Sequence, residues 1–277
     1  MSKCVRTALV LVAFTVFATA QAAMAAPPVA PGSTQAMLEE AVNGTWRPAA
    51  DKARDKYRHP AKTLEFFGIR PDMTVIELAP GGGWYTRILA PFLYADGHLI
   101  ELTWPKDQKF NALLASDPAV FGHIQRGPEF TPFTPHSTDL TLGPPDSADM
   151  VVTFRNMHDF HNTGNMDAVL AAAYKVLKPG SVFGMTDNRA MPNADADVVD
   201  HTLHRNVESY MIEAGLKAGF RLAGVSQVNA NPKDPLDVVV FKMFPGFYHD
   251  TPSERAKMEA IGEPDAMTLK FVKPRHP

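Results

Sequence analysis

Between Arg155 and His161 the chain reads RNMHDFH, which places a guanidinium, an amide, two imidazoles and a carboxylate within seven residues. Histidine titrates near neutral pH, so His158 is the best candidate here for removing a proton from a reacting group. If the segment is extended, Asp159 points away from His158, because neighbouring side chains in a strand face opposite sides. A second polar set, TDNR, carries Asp187 and Asn188. A third, HTLHR, carries His201, His204 and Arg205, and a helix would put both imidazoles on one face. It has no glutamate between the histidines and no third ligand beside them, so a metal is not expected.

The stretch VIELAPGGGWYTRIL, Val75 to Leu89, has a different character. A β-branched apolar run ends in Glu77, then come Ala79, Pro80 and Gly81 to Gly83, and helical spacing resumes at Trp84. A strand, a glycine turn and a helix start form a polar ligand seat, with backbone N–H groups aimed at the ligand. Upstream, RDKYRHP puts Arg54 and Arg58 one helical turn apart, able to bind an acidic substrate or to pair with acids of the sheet. Trp84 and Tyr85 would either stack on an aromatic substrate or join the core.

These groups must be carried by alternating strands and helices. TQAMLEEAV, Pro48–Pro60 and AKTLEFFGI read as lead-in helices. MTVIEL is strand one, residues 84–93 its helix, GHLIEL strand two, and residues 106–116 a further helix. Residues 121–145 are rich in Pro and Gly, with room for a short third strand near HIQRG. DMVVTFRN and SVFGMTDN are buried-type strands around the helix NMDAVLAAAYKVLKPG. Residues 206–218 are helical, FRLAGVSQV is a strand, and MTLKFVKP competes with PLDVVVFKMF for the last one. Such alternation means a mostly parallel α/β sheet whose ligands sit at the carboxyl ends of the strands. Glu77, Glu101, RNMHD and TDNR all fall at those ends.

Of the 277 residues, 1–25 read as a cleavable signal: Lys3 and Arg6, an apolar run from Thr7 to Ala20, and a small-x-small site at Ala23–Ala25. The run is short of the roughly 20 residues a membrane span needs. An exported protein, periplasmic or secreted and without stable membrane insertion, is expected. Cleavage removes Lys3, Arg6 and no acid, taking the net charge from −3 to −5. It also removes Cys4, the one cysteine, and with it any thiol nucleophile or disulfide. A mildly acidic chain without a basic run excludes nucleic acid as the expected partner and leaves a small molecule. The organisation expected is a signal at 1–25, a Pro-rich linker and extension at 26–47, and an enzyme-like domain at 48–277 with its last strand at 267–273.

The glycine loop excludes two common ligand motifs. From Gly81 the dinucleotide pattern G-x-G-x-x-G fails at Thr86, and no Lys-Ser/Thr follows the glycines as in a P-loop. The loop instead resembles the first motif of class I S-adenosylmethionine-dependent methyltransferases. RDKYRHPAKTLEFFGIRPDMTVIELAPGGGWYTRILAP, FRNMHDFHN, KPGSVFGMTDNRA and AGFRLAGVSQVNANPKDP occur in order and are similar to a family of predicted bacterial methyltransferases, many with secretion signals.

The resemblance implies a Rossmann-like sandwich with a mostly parallel seven-stranded sheet and an antiparallel last strand, MTLKFVKP. It implies S-adenosylmethionine as cofactor, held by Glu77, Ala79, Gly81, Gly83, Glu101, Asp139 and Asn156. Ala79 stands where glycine is more usual and would narrow the floor of the pocket. Glu101 would take the ribose, with Thr103 as the alternative if the strand runs longer; Asp139 would take the adenine amine. His158, Asp187 and His204 would carry the chemistry on a small-molecule acceptor. Asp187–Asn188 also resembles the metal-binding pair of catechol O-methyltransferase, but the acid that ends strand four there is missing from TFRN. A non-catalytic, exported binding protein and a metal-assisted hydrolase or lyase are the alternative readings of the same fold.

Overall fold

The computed structural model describes residues 32–103, 107–132, 134–135, 140–244 and 251–275. The signal expected at 1–25, and Asp139, lie outside the described residues. Four short helices lead in: α1 (Thr34–Asn43), α2 (Ala49–Lys52), α3 (Asp55–Arg58) and α4 (Pro60–Phe67). The central part then alternates β1 (Thr74–Leu78), α5 (Thr86–Leu93), β2 (His98–Leu102), α6 (Gln108–Ser116), α7 (Pro118–Phe121), β3 (Gln125–Arg126) and β4 (Ala148–Phe154). It continues through α8 (Met157–Asn162), α9 (Met166–Val176), β5 (Leu177–Asn188), α10 (Ala196–Leu203), α11 (Glu208–Lys217) and β6 (Arg221–Ser226). A 3₁₀ turn (Val240–Met243), α12 (Pro252–Ile261) and β7 (Ala266–Val272) complete it.

Seven strands form one sheet in the order β3-β2-β1-β4-β5-β7-β6. The pairs among β1 to β5 are parallel, and β7 runs antiparallel to both β5 and β6. β1 and β4 lie next to each other at the centre, so each alternates between two apolar cores. Ile76, Leu78 and Val151 join the core beneath α8, α9 and α11. Val75, Met150 and Val152 join the core beneath α1, α4, α5, α6 and α7. Each fully buried Leu or Phe in them contributes roughly 1.5–3 kcal/mol. Gly184 is needed on β5 because a Cβ there would meet the Phe67 ring at 2.7 Å.

The alternation assigns the polar groups to faces as well. Glu77 shares the α5 face with Val75, and Asp187 shares the α8 face with Phe183 and Met185. α5 contains Pro91, which lacks the N–H that would bond the Arg87 carbonyl. The Trp46 indole N–H donates to that carbonyl instead, at 2.8 Å. With Leu38 and Ala41 of α1 in the same core, the lead-in segment is fastened to the sheet domain.

Two elements differ from the sequence reading, and the expected last strand is present. The single helix expected over 48–60 is two short helices, because Asp55 forms a two-pronged bond with Arg47 while Arg54 and Arg58 turn toward Glu263. RNMHD leaves the strand after Phe154 and starts α8, so the extended geometry expected around His158 does not hold. PLDVVVFKMF forms the 3₁₀ turn, and MTLKFVKP supplies β7, which lies between β5 and β6 and is buried over most of its length.

Candidate functional site

The glycine loop leaves β1 with three residues in left-handed backbone: Ala79 at φ 50°, Gly81 at 56° and Gly83 at 76°. For the alanine this costs roughly 1–2 kcal/mol. The Ala79 N–H donates to the Leu102 carbonyl at 2.9 Å, which ties the loop to β2. The glycines differ in what surrounds them. A Cβ on Gly81 or Gly82 would meet nothing within 4 Å, whereas one on Gly83 would strike Leu113 at 2.2 Å. Gly81 and Gly82 therefore floor an open cradle, and Gly83 serves packing. Arg87 braces the loop, its guanidinium donating to the Gly82 and Gly83 carbonyls at 2.6 and 3.0 Å.

Glu77 and Glu101 are directly paired in the register of β1 and β2, and both are buried. The Thr86 hydroxyl donates to Glu77 at 2.8 Å. Among the described residues neither Glu101 oxygen makes a hydrogen bond of ordinary geometry, and the groups that bear on it are Glu77 and the Thr86 hydroxyl. Burial raises Glu77 to about 7, against hydrogen bonds from Glu101 and Thr86. Burial and the adjoining Glu77 charge push Glu101 well above the carboxylate range. Two carboxylates so placed share a proton near neutrality. Glu101 lies inside the strand beside Glu77, while Thr103 follows the strand end and is also buried.

Across the sheet, β5 and α8 bring together three of the sequence candidates. Asp187 Oδ1 accepts from His158 Nδ1 at 2.9 Å, and Asp187 Oδ2 accepts the His158 main-chain N–H at 3.0 Å. His158 Nε2 is left facing Asp159 Oδ2 at 3.6 Å. The His204 ring lies 5.7 Å from the His158 ring, and its Nδ1 is 3.8 Å from Asp159 Oδ1. Among the described residues that buried Nδ1 has no hydrogen-bond partner. Burial lowers the His158 pKa, but the Asp187 charge and hydrogen bond outweigh it and leave it raised. Burial and the His158 charge keep His204 below its ordinary value. One imidazole thus favours its proton while the other disfavours it.

His201 and His204 do not share a helix face. α10 ends at Leu203, and His204 takes a left-handed turn at φ 54° that swings it toward His158. His201 stays exposed beside Asp200 at 2.7 Å. Arg205 is fully buried, bound to Asp234 at 2.8 Å and to the carbonyls of Val238 and Arg189. Arg205 is therefore an anchor inside the fold. Asn188 is occupied by Arg155 at 2.7 Å and by the His204 carbonyl, and Asp187 by His158 and Asn206, so the catechol-type metal pair does not form. Among the described residues the set that could hold a metal is His158, Asp159 and His204, with one ligand atom from each within 4.8 Å of the others.

Asn156, expected beside the cofactor, spends its amide N–H groups on the carbonyls of Leu78 and Ala79, both at 3.2 Å, and on the Thr153 hydroxyl. It shapes the glycine loop from below. Sequence reading missed Asn206, whose amide donates to Asp187 at 2.7 Å and whose Oδ1 lies 3.2 Å from His161. It also missed Glu263, on which Arg54, Arg58 and Arg155 converge. Neither residue stands in a motif; they are close only in space. Tyr85 and Trp84 are buried, Tyr85 stacked on Phe154 at 3.4 Å and Trp84 beneath Arg47 and Arg58. Among the described residues no helix is long and apolar enough to cross a membrane.

No protein-family model matches this chain, and no curated protein does. Solved structures do. A SAM dependent methyltransferase from Aquifex aeolicus is 14% identical, with 80% of this chain and 93% of that one aligned at a TM-score of 0.51. The [4+2]-cyclase SpnF is also 14% identical, over 89% and 98% of the two chains, at 0.56. Geranyl diphosphate C-methyltransferase from Streptomyces coelicolor A3(2), solved with Mg²⁺, geranyl diphosphate and S-adenosyl-L-homocysteine, is 10% identical over 88% and 86%, at 0.52. At these identities the likeness concerns the backbone: the chain has the Rossmann-like fold that these methyltransferases share with a cyclase.

Proposed function

We propose that the chain is an S-adenosylmethionine-dependent methyltransferase with a small-molecule acceptor. The observation that carries this reading is the open glycine floor of Gly81 and Gly82 beside the buried pair Glu77 and Glu101. A cationic ligand bearing two hydroxyls fits a carboxylate pair that shares a proton and keeps acceptor capacity to spare. Gly81 and Gly82 would let its backbone-facing side approach closely, Glu101 and Glu77 would take its hydroxyls, and Ala79 would border the floor. Bound there, the cofactor would supply an electrophilic methyl group.

The chain's own part would be to hold the acceptor and take its proton. His158 Nε2 is the proton acceptor, and Asp187 fixes the tautomer by holding Nδ1. His204 closes the other side of that imidazole. Preserved geometry of this kind favours turnover over a binding-only protein. We also propose that the protein acts after export, on the strength of residues 1–25.

Calorimetric titration of the chain with S-adenosylmethionine and S-adenosylhomocysteine tests the reading. Micromolar binding, abolished by Gly81→Val or Glu77→Ala in a folded protein, is expected. No binding at millimolar ligand would leave the loop as a reused seat. A second reading is favoured by the unbonded His204 Nδ1 facing Asp159 and His158: a divalent cation held by these three would make the chemistry metal-assisted. Stoichiometric metal in the purified protein, lost in His204→Ala, would select it.

A further inference from the structure

Beside the glycine loop, on the opposite face of the sheet from His158, lies a pocket lined by Arg58, Tyr85, Phe154, Arg155, Thr186 and Asn229. We infer that it binds the anionic end of a small hydroxy- or amino-carboxylate. The binding does not rest on the methyltransferase reading.

The charge count is the first argument. The Nε groups of Arg54 and Arg58 bond to the two oxygens of Glu263, the latter at 2.7 Å, and Arg155 Nη2 lies 3.4 Å from the same carboxylate. The Arg155 guanidinium also meets neutral groups: the Asn188 amide oxygen at 2.7 Å, the Pro264 carbonyl at 3.5 Å and the Phe244 ring at 5.8 Å. Asp51 bears on Arg54 and lies 3.7 Å from Arg87. Three guanidiniums thus converge on Glu263, with Asp51 as the other acid bearing on Arg54 and itself shared with Arg87, and the three side chains are only 26%, 12% and 10% exposed. Unbalanced charge out of water is costly, and a cluster built for stability alone is usually balanced. Burial and the two neighbouring arginines pull Arg155 down to about 10, the direction that surplus positive charge produces. Two of these arginines line the pocket, and a guanidinium presents a planar fork that matches a carboxylate.

The second argument is independent. Asn229 is buried, and its amide nitrogen donates to the hydroxyls of Thr63 and Thr268, both at 2.9 Å. Its Oδ1 is buried and has no donor among the described residues. A buried acceptor at a pocket wall asks for an N–H or O–H from the ligand. Arginine forks beside a free amide oxygen specify an anionic group with a hydroxyl or ammonium close by. Tyr85 stacked on Phe154 forms an apolar wall, which strengthens every charge interaction next to it. Arg155 follows β4, Thr186 lies in β5 and Ala266 opens the antiparallel β7, so the pocket sits at the sheet end where ligands of such folds bind.

Titration of the whole chain with L-lactate, L-alanine, propionate, lactamide and inorganic phosphate tests the inference without any variant. Lactate and alanine should saturate, propionate should bind more weakly for want of a donor to Asn229, and lactamide should not bind. Arg58→Met should raise the lactate Kd at least tenfold. Glu263→Gln, which enlarges the surplus, should lower it in protein whose melting curve shows it folded. Lactamide binding as well as lactate, phosphate binding in place of every carboxylate, no saturation by any carboxylate, or a lactate Kd unmoved by Arg58→Met would each overturn it. The same samples are titrated with S-adenosylmethionine: lactate binding without cofactor binding keeps the anion pocket and removes the methyltransferase reading, and the reverse removes the pocket alone.

Discussion

Asp187 holds His158 twice, once through the ring Nδ1 at 2.9 Å and once through the main-chain N–H at 3.0 Å, across 29 residues of sequence. The carboxylate therefore fixes both the ring and the start of α8. Asp187→Asn should remove the negative charge and keep most of the shape. The His158 pKa, followed by NMR, is expected to fall toward or below the ordinary histidine value, because burial lowers it once the charge is gone. A His158 titration unmoved by the substitution would refute the pairing. As the folded value is raised, the pair's contribution to stability is complete below the unfolded histidine pKa and is lost as pH rises through the folded one.

Once an acceptor is identified, His158→Ala should lower kcat by about 10²–10⁴ while leaving the cofactor Kd unchanged, since proton removal is worth that much. Equal losses in turnover and cofactor affinity would place His158 in cofactor binding instead.

Glu77 and Glu101 make stability depend on pH in a stated direction. Both folded values are raised, and Glu77 stands at about 7. Their stabilising share is complete below the unfolded glutamate pKa of about 4.3 and is lost as pH rises through 7. The melting temperature of the ligand-free protein should therefore fall between mildly acidic and mildly alkaline pH. Glu101→Gln should flatten that fall, which differential scanning calorimetry would read. A melting temperature that rises over the same range would contradict the shared proton.

Gly81 and Gly83 should separate function from packing. Gly81→Ala meets open space, so its cost is the left-handed backbone, roughly 1–2 kcal/mol, together with lost ligand affinity. Gly83→Ala carries the same backbone cost and also drives a methyl into Leu113, so it should destabilise more, by roughly 1–3 kcal/mol beyond that. Urea unfolding of the two variants measures the difference; equal losses would mean that Leu113 yields freely.

Arg205→Met should cost roughly 3–5 kcal/mol by leaving Asp234 buried and uncompensated. Arg205→Met with Asp234→Asn should recover part of that loss in denaturant unfolding. No recovery would mean that the bonds to the carbonyls of Val238 and Arg189 dominate.

Much of the scaffold was legible in the residues. VIEL, HLIEL and DMVVTF read as strands because β-branched and apolar residues run together where both faces of a sheet are covered. The short β3 at Gln125–Arg126 falls within HIQRG. What misled was the segment after Phe154: RNMHD continues a strand by composition, yet α8 begins at Met157, where Asp187 receives the buried first-turn N–H of His158. A carboxylate on another strand set that boundary, and local sequence carries no trace of it.

The sequence by itself determined the alternation of strands and helices, the glycine turn and the polar residues that end the strands, because these follow from local periodicity and backbone freedom. Only the tertiary structure decided which of those groups meet. Register placed Glu77 beside Glu101 and made them share a proton. A left-handed turn sent His204 to His158 and left His201 outside. Packing of α3 against the end of the sheet gave Glu263 to three arginines and left Asn229 an unmet acceptor. Charge and hydrogen-bond energies depend on distance and burial, and neither is a property of position along the chain.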